Sequence, residues 1–501
     1  MSAVAAPPRP SRARRLAAAG LTVCIGIGAA SAARAEEMTP AQQKAMTAIF
    51  GDGGRGGQLF RAGRTAEAEA VFRSVLKRVE SDFPREPLMR AASLHNLAGA
   101  VAERGGLVEA ERTAREALAL REGRGVAPAI ASTRLLLGGI LVDLGRPEEA
   151  LPLLRAATET LLNDPAADRA DGLRAAALLA TVEAEVGDGA AATSLTHDLA
   201  GLAGDLGRRP DLAEPVFAAI GRVHAVGGRA SEAEVWYRRA ATAVDAARVD
   251  ADRRRAVLTA NVASMLLDQG RVAEALPLAE RAVSGQPAGA ASPVARAAAL
   301  VTLGEARRVG GDAAGAFAAR REALDLRLTA LPGEHPLVAQ SLSVVGLDLL
   351  SDGQIEPARR SLATALERRR RIGDRIGALR STLSLAVAEA ASAHPAEAER
   401  LSATGLAEAD AMLPLGHPLR VAAAVNRGWL LLGAGRAEEA LTVARRAAVD
   451  LKARFAAAAT RAERVELPAR ERRGIVVLVA AAWDVAAGRR GAPSATEPKR
   501  P

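Results

Sequence analysis

The sequence predicts an all-α solenoid, and three observations predict it. First, a period of 40–42 residues recurs through the chain, marked by the loop positions Gly63, Gly105, Gly145, Gly187, Gly228, Gly270, Gly311, Gly353, Ala393 and Gly435. Second, a small residue stands seven positions before each (Gly56, Ala98, Gly138, Ala180, Gly221, Ala263, Gly304, Gly346, Ala386, Gly428) and an alanine five positions after it (Ala68, Ala110, Ala150, Ala192, Ala233, Ala275, Ala316, Ala358, Ala398, Ala440). Third, the chain is rich in Ala, Leu, Arg and Glu and only 2% aromatic, which favours helix and offers few strand signals. A fixed period of this size marks stacked units, each burying its apolar face only against its neighbours. The 501 residues therefore count repeats rather than separate cores.

At the N-terminus, residues 1–35 read as an export signal. Arg9, Arg12, Arg14 and Arg15 precede a short apolar stretch from Leu16 to Ala30, and Ala33-Arg34-Ala35 supplies the small-x-small pattern for cleavage after Ala35. The apolar stretch is shorter than the ~20 residues a membrane span needs. Val23 is bulky for lipoprotein processing at Cys24, and Arg14-Arg15 lacks the surroundings of a folded-protein export signal. The expected destination is the periplasm or the exterior. Cys24 is the only cysteine, so the mature chain would have no disulfide, thiol nucleophile or cysteine-bound metal. Five arginines and no acids precede Glu36, so cleavage lowers the formal charge from +9 to +4. With few aromatics to stack on bases, nucleic-acid binding is not supported.

Residues 36–57 are expected to form a short helix and a hinge at Gly51–Gly57. That glycine run lacks the Lys-Ser/Thr ending and preceding strand of a phosphate-binding loop. From 58 to 455, each unit reads as two helices around a turn. Around Gly105, Leu88 to Glu103 is the first helix and Val108 to Arg121 the second, with Gly105-Gly106 breaking the chain. Pro147 suits a first helical turn, where its missing N–H costs nothing. Glu67, Glu109, Glu149, Glu232, Glu274, Glu397 and Glu439 stand four residues after their loop positions, where an acid complements the helix dipole. Around Gly187 and Gly311 that place is taken by Ala191 and Gly315.

Small-x(6)-Gly-x(4)-Ala across a helix–turn–helix resembles the tetratricopeptide repeat, and the period near 42 resembles the longer form found in kinesin light chains. Gly333-Glu334-His335-Pro336 and Gly416-His417-Pro418 match the connecting Gly-x-His-Pro of that form, with Phe83-Pro84-Arg85-Glu86-Pro87 a looser relative. The resemblance implies a right-handed superhelix of about ten units. Beyond it, residues 456–488 are expected to cap the stack and 489–501 to be a disordered tail. The stretch from Arg454 to Trp483 resembles the segment after such repeats in bacterial CHAT-type proteins, here without their peptidase domain.

The resemblance implies a concave groove, lined by the first helix of each unit, that takes extended peptides. Asn96, Asn261 and Asn426 stand nine residues before their loop positions, where an asparagine in this family often grips peptide main chain. A carboxamide donates and accepts at once, as a main chain does. Arg174, Arg222 and Arg380 occupy other groove-facing offsets, and Trp429 offers an apolar platform. The alternative for each is a plain polar residue on a helix face, with asparagine tying adjacent units together. His95, His197, His224, His335, His394 and His417 lack metal-ligand spacing, and His335 and His417 are expected to cap the next helix. No catalytic cluster, cofactor site or metal site stands out. The expectation is an exported scaffold for a protein or extended-peptide partner, with self-association a further option. Rival readings are a regulatory partner of a CHAT-type peptidase and an envelope or polysaccharide assembly factor.

Overall fold

The computed structural model describes residues 39–187, 189–206, 209–244, 251–286 and 293–457, with isolated positions between 476 and 485. The export signal, Cys24, most of the 456–488 cap and the 489–501 tail lie outside the described residues. Two compact bodies divide the chain, one through Val338 and one from Ala339.

The first body holds successive helix pairs: α1 (Pro40–Arg61) with α2 (Thr65–Asp82), α3 (Pro87–Glu103) with α4 (Leu107–Arg121), and α5 (Ala127–Asp143) with α6 (Pro147–Asn163). There follow α7 (Arg169–Val186) with α8 (Gly189–Gly201) and the short α9 (Ala203–Leu206), then α10 (Pro210–Val226) with α11 (Ala230–Thr242). The last two pairs are α12 (Ala251–Asp268) with α13 (Val272–Ser284), and α14 (Pro293–Val309) with α15 (Ala313–Ala330). From α16 (Pro336–Ser351), in which the division falls, the second body continues as α17 (Ile355–Arg371), α18 (Arg375–Ala391), α19 (Pro395–Met412), α20 (Pro418–Gly433) and α21 (Ala437–Ala457). No strand occurs among the described residues. Within each pair the first helix is called A and the second B. The ten pairs follow the ten sequence repeats, so the architecture is an α-solenoid.

Local chemistry explains the boundaries. Prolines open α1, α3, α6, α10, α19 and α20. Thr39 and Gln42 form a reciprocal capping box on α1. All nine loop glycines have φ between 75° and 96°, the left-handed conformation that ends a helix without a Cβ clash. Ala393 is held there too, at φ 59°, as the one non-glycine with positive φ among the described residues. Ala393→Gly should therefore stabilise the second body by roughly 1 kcal/mol, since an L side chain in that region costs about that much. Urea midpoints at constant slope would show it, and an unchanged or lower midpoint would mean that the loop is unstrained.

The small residue before each loop packs on the residue nine after it, and the two volumes are matched. Where the A helix carries glycine, the B helix carries a large side chain. A Cβ at Gly56, Gly138, Gly221, Gly304 or Gly346 would lie 2.5, 2.6, 3.0, 2.6 or 2.9 Å from Phe72, Leu154, Tyr237, Arg320 or Leu362 respectively. Where the A helix carries Ala98, Ala180, Ala263 or Ala386, the opposite position is the small Ala114, Thr196, Ala279 or Ser402. Gly428 with Ala444 is the exception. Close packing admits one bulky partner per crossing and leaves no room for two.

Three sequence expectations need correction. Gly51–Gly57 is no hinge, because α1 runs through it unbroken. Five glycines are poor helix formers, but burial of Ile49, Leu59 and Phe60 holds the segment helical, and Gly56 is the residue that lets Phe72 approach. The first A helix is thus residues 40–61 rather than a piece beginning at 58. Gly315 is not a gap in the acidic pattern, because Asp312 accepts from the Gly315 N–H (2.8 Å) and caps α15 itself.

Candidate functional site

Successive A helices pack directly on one another, as α3 on α5, α5 on α7, α7 on α10, α12 on α14 and α18 on α20, while successive B helices scarcely meet. The row whose members lie closer together is the inner one, so A helices form the inner wall in each body.

Buried polar groups brace that wall, and the sequence reading missed them. Sixteen residues after the loop, three units place arginine and one places glutamine at the end of the B helix. Arg121 donates from Nη1 to the Ala129 carbonyl (2.7 Å) and to Thr133 Oγ1. Arg327 donates to the Leu337 carbonyl (3.1 Å), and Arg369 to the Gly377 carbonyl (2.6 Å) and Ser381 Oγ (2.9 Å). Gln286 reaches the Arg253 carbonyl at 3.1 Å. Each arginine thereby clamps its B helix to the first turn of the next A helix, whereas Gln286 ties the end of its B helix back to the first turn of its own A helix. Burial pushes Arg121 and Arg327 down to about 10, so both remain charged at neutral pH. The hydroxyls they hold reach the preceding unit: Thr133 Oγ1 lies 3.3 Å from His95 Nδ1, and Ser381 Oγ 3.3 Å from Ser343 Oγ. The signal lay in one register position across units, which a helix-by-helix reading does not compare.

The glutamate–arginine mixtures also have a register. Glu69, Glu111, Glu234 and Glu399, six residues after their loop positions, each accept from the loop arginine of the next unit: Arg104 (2.8 Å), Arg146 (2.7 Å), Arg271 (2.8 Å) and Arg436. Arg146, Arg271 and Arg436 also grip Glu149, Glu274 and Glu439 on their own B helices. The acids foreseen as dipole partners thus also serve as the far ends of an inter-unit ladder.

The proposed groove residues divide between the bodies. Asn96, Arg174, Arg222 and Asn261 lie on α3, α7, α10 and α12, whereas Arg380, Asn426 and Trp429 lie on α18 and α20. Asn96 is half-buried and Asn261 is 6% exposed, and neither carboxamide hydrogen-bonds to a described residue. Asn426 corrects the expectation, because its Nδ2 donates to the Leu383 carbonyl (3.1 Å) and ties α20 to the preceding A helix. Arg174 is paired with Asp171 (3.0 Å) and Arg222 with Glu185 (2.6 Å), so both guanidinium groups neutralise acids of the wall itself. Burial opposes the Arg222 charge, but Glu185 more than offsets it and holds its pKa above the usual value. Burial raises the Asp171 carboxyl to about 6 although Arg174 pulls it back. Arg380 is half-buried and lies near enough to His417 to disfavour its protonation. Trp429 is 41% exposed and keeps an open apolar face.

His335 and His417 are caps, as expected. Their Nδ1 atoms accept from the N–H groups of Leu337 and Leu419, each at 3.1 Å. Accepting requires a neutral imidazole, and burial lowers both, and His95, to about 3. Among the described residues no group of three or more His, Cys, Asp or Glu is placed to hold a metal, and no helix is long and apolar enough to cross a membrane. Chemically, the wall presents carboxamides, paired charges and small apolar side chains.

Residues 255–285, most of the α12–α13 pair, match the family model of the tetratricopeptide repeat. No curated protein matches the chain. Among solved structures, a Podosopora anserina protein with kinesin-light-chain nearly identical TPR-like repeats is 23% identical over 40% of this chain and 97% of its own, with a TM-score of 0.34. A Rap protein complexed with competence and sporulation factor is 12% identical over 82% of this chain and 99% of its own (TM-score 0.47). The apo quorum sensor NprR from B. thuringiensis is 10% identical over 67% of this chain and 90% of its own (TM-score 0.49). Likeness at this level says nothing about what this chain binds.

Proposed function

We propose that this tetratricopeptide-repeat solenoid is an exported, non-catalytic scaffold that holds an extended segment of a partner protein along its A-helix wall. The observation that carries the reading is the contrast among the three in-register asparagines. Asn426 spends its Nδ2 inside the protein, on the Leu383 carbonyl, whereas Asn96 and Asn261 sit in the first body with neither end of the carboxamide engaged by a described residue. A carboxamide left unengaged can donate and accept at once, and a ligand main chain supplies both partners. The paired Arg174–Asp171 and Arg222–Glu185 carry no net charge, so they would orient a polar backbone without demanding a charged ligand.

The test is a crosslinked pull-down from the cell envelope with the full chain, followed by affinity measurement on the captured partner. Asn96→Ala with Asn261→Ala should weaken binding roughly tenfold or more, about 1.4 kcal/mol, with the melting temperature nearly unchanged. Asn426→Ala should instead lower the melting temperature of the second body. If the double variant binds as tightly as the parent, or melts in step with its loss of binding, the asparagines are structural and the reading fails.

A further inference from the structure

The first body touches itself across five units. Gly105 lies in the turn between α3 and α4, at one edge of the ribbon of helix pairs, and Leu331–His335 connects α15 to α16, at the opposite edge. A Cβ at Gly105 would sit 2.8 Å from Leu331 Cδ2, 3.3 Å from His335 Cδ2 and 3.5 Å from Pro332 Cδ. Opposite edges of a helical ribbon can meet only where the ribbon has completed a turn whose pitch equals its own width. The stack from α3 to α15 is therefore one closed superhelical turn, and at this seam its inner wall has no lateral opening.

Gly105 contributes only its backbone, made compact by φ 88°, against an aliphatic side chain, a proline ring and the edge of an imidazole. Gly105 thus does two things: it ends α3 in the left-handed conformation, and it lets the second edge come within van der Waals reach. On either side, the turn is spanned by helix pairs that contact their neighbours in sequence, and such stacks deform by small rotations summed over many interfaces.

We propose that the contact of Gly105 with Leu331, Pro332 and His335 is a latch, which keeps the first body in a closed turn and parts to open the inner wall sideways. Its bearing on ligand entry rests on the groove-binding reading, but the latch itself is a statement about one distance. The variants are chosen to leave the helices intact. Leu331 follows the last turn of α15 and is only partly buried, so Leu331→Glu puts a charge into the seam without emptying a core. Leu328, 44% exposed on the same helix, provides the control Leu328→Glu.

The experiment is a spin-label distance measurement on the full chain carrying Cys24→Ser, with labels at Val108→Cys and Thr329→Cys, both exposed and flanking the seam. The parent and Leu328→Glu should show one short, narrow distance. Leu331→Glu should lose that population to longer, broader distances while circular dichroism reports unchanged helicity. A long or broad distance in the parent would overturn the closed turn. A short distance that survives Leu331→Glu would overturn the latch, because the stack alone would then hold the turn shut. Loss of partner binding through the asparagines would move neither result, so the two proposals fail separately.

Discussion

Gly138→Leu is expected to destabilise the first body by about 3 kcal/mol, the upper end of what overpacking usually costs. The added Cβ alone would stand 2.6 Å from Leu154 Cδ2 and 2.8 Å from Leu154 Cγ, and the remaining atoms would have to enter the same crossing. Leu154 is fully buried, as are its neighbours Leu137, Ile140 and Leu141, so it cannot swing out of the way. The matched volumes make a sharper claim about the pair. Leu154→Ala alone should cost about 2–5 kcal/mol through its cavity, yet Gly138→Leu with Leu154→Ala should cost much less than the two singles together. The crossing would then hold one bulky side chain again, donated from the opposite helix. A double-mutant cycle on urea midpoints reads the coupling directly. Additivity within a few tenths of a kcal/mol would show that the alternation of glycine and bulky residues along the repeats has no packing basis.

Acidification from pH 7 to pH 5 is expected to cost the protein several kcal/mol of stability, mainly through three imidazoles. An unfolded histidine titrates near 6.5, whereas His95, His335 and His417 are held to about 3 by burial beside Arg121, Arg327 and Arg380 respectively. Between those values the unfolded chain binds the extra proton, so stability is fully present above about pH 6.5 and falls as pH drops towards 3. At pH 5 each group costs about 2 kcal/mol. Asp171 works against this: its carboxyl is raised to about 6 in the fold, so between about 4 and 6 the folded state binds the extra proton and gains stability as pH falls. The first body therefore carries two destabilising groups and one compensating group, and the second carries His417. Replacing His417 by asparagine keeps a side-chain acceptor at the start of α20 but removes the ionisation. Melts of the parent and His417→Asn at pH 7 and pH 5 check the assignment. If His417→Asn retains the full acid loss of the second body, the imidazole is not its source.

Much of the fold was legible because it depends on local chemistry repeated in phase. Ten loop positions, nine of them glycine, place the turns, and the observed helices around Gly105 begin within a residue of where the sequence puts them. The capping roles of His335 and His417 arise from the same locality, since a proline-initiated helix needs an acceptor just before it. The hinge was misread for the opposite reason. Glycines at 51–57 signal flexibility when taken alone, and only the ring of Phe72 on the facing helix shows that one of them is there to be packed against.

The site was less legible, because a side chain's availability depends on what the neighbouring unit brings to it. Asn96, Asn261 and Asn426 share one register and are indistinguishable in sequence, yet the Leu383 carbonyl claims the last and no described residue claims the first two. Arg174 and Arg222 look like free cations until Asp171 and Glu185 appear beside them. The guanidinium clamps of Arg121, Arg327 and Arg369 end on backbone carbonyls, which no side-chain pattern encodes. By itself, then, the sequence determined the helix pairs, their period and their turns, because propensity, capping and left-handed glycines act within a few residues. Tertiary structure alone decided which bulky side chain fills each crossing, which polar groups are already satisfied and where the first body meets itself. Those outcomes depend on distances between atoms tens to hundreds of residues apart, and they are set by the accumulated rotation of one helix pair on the next.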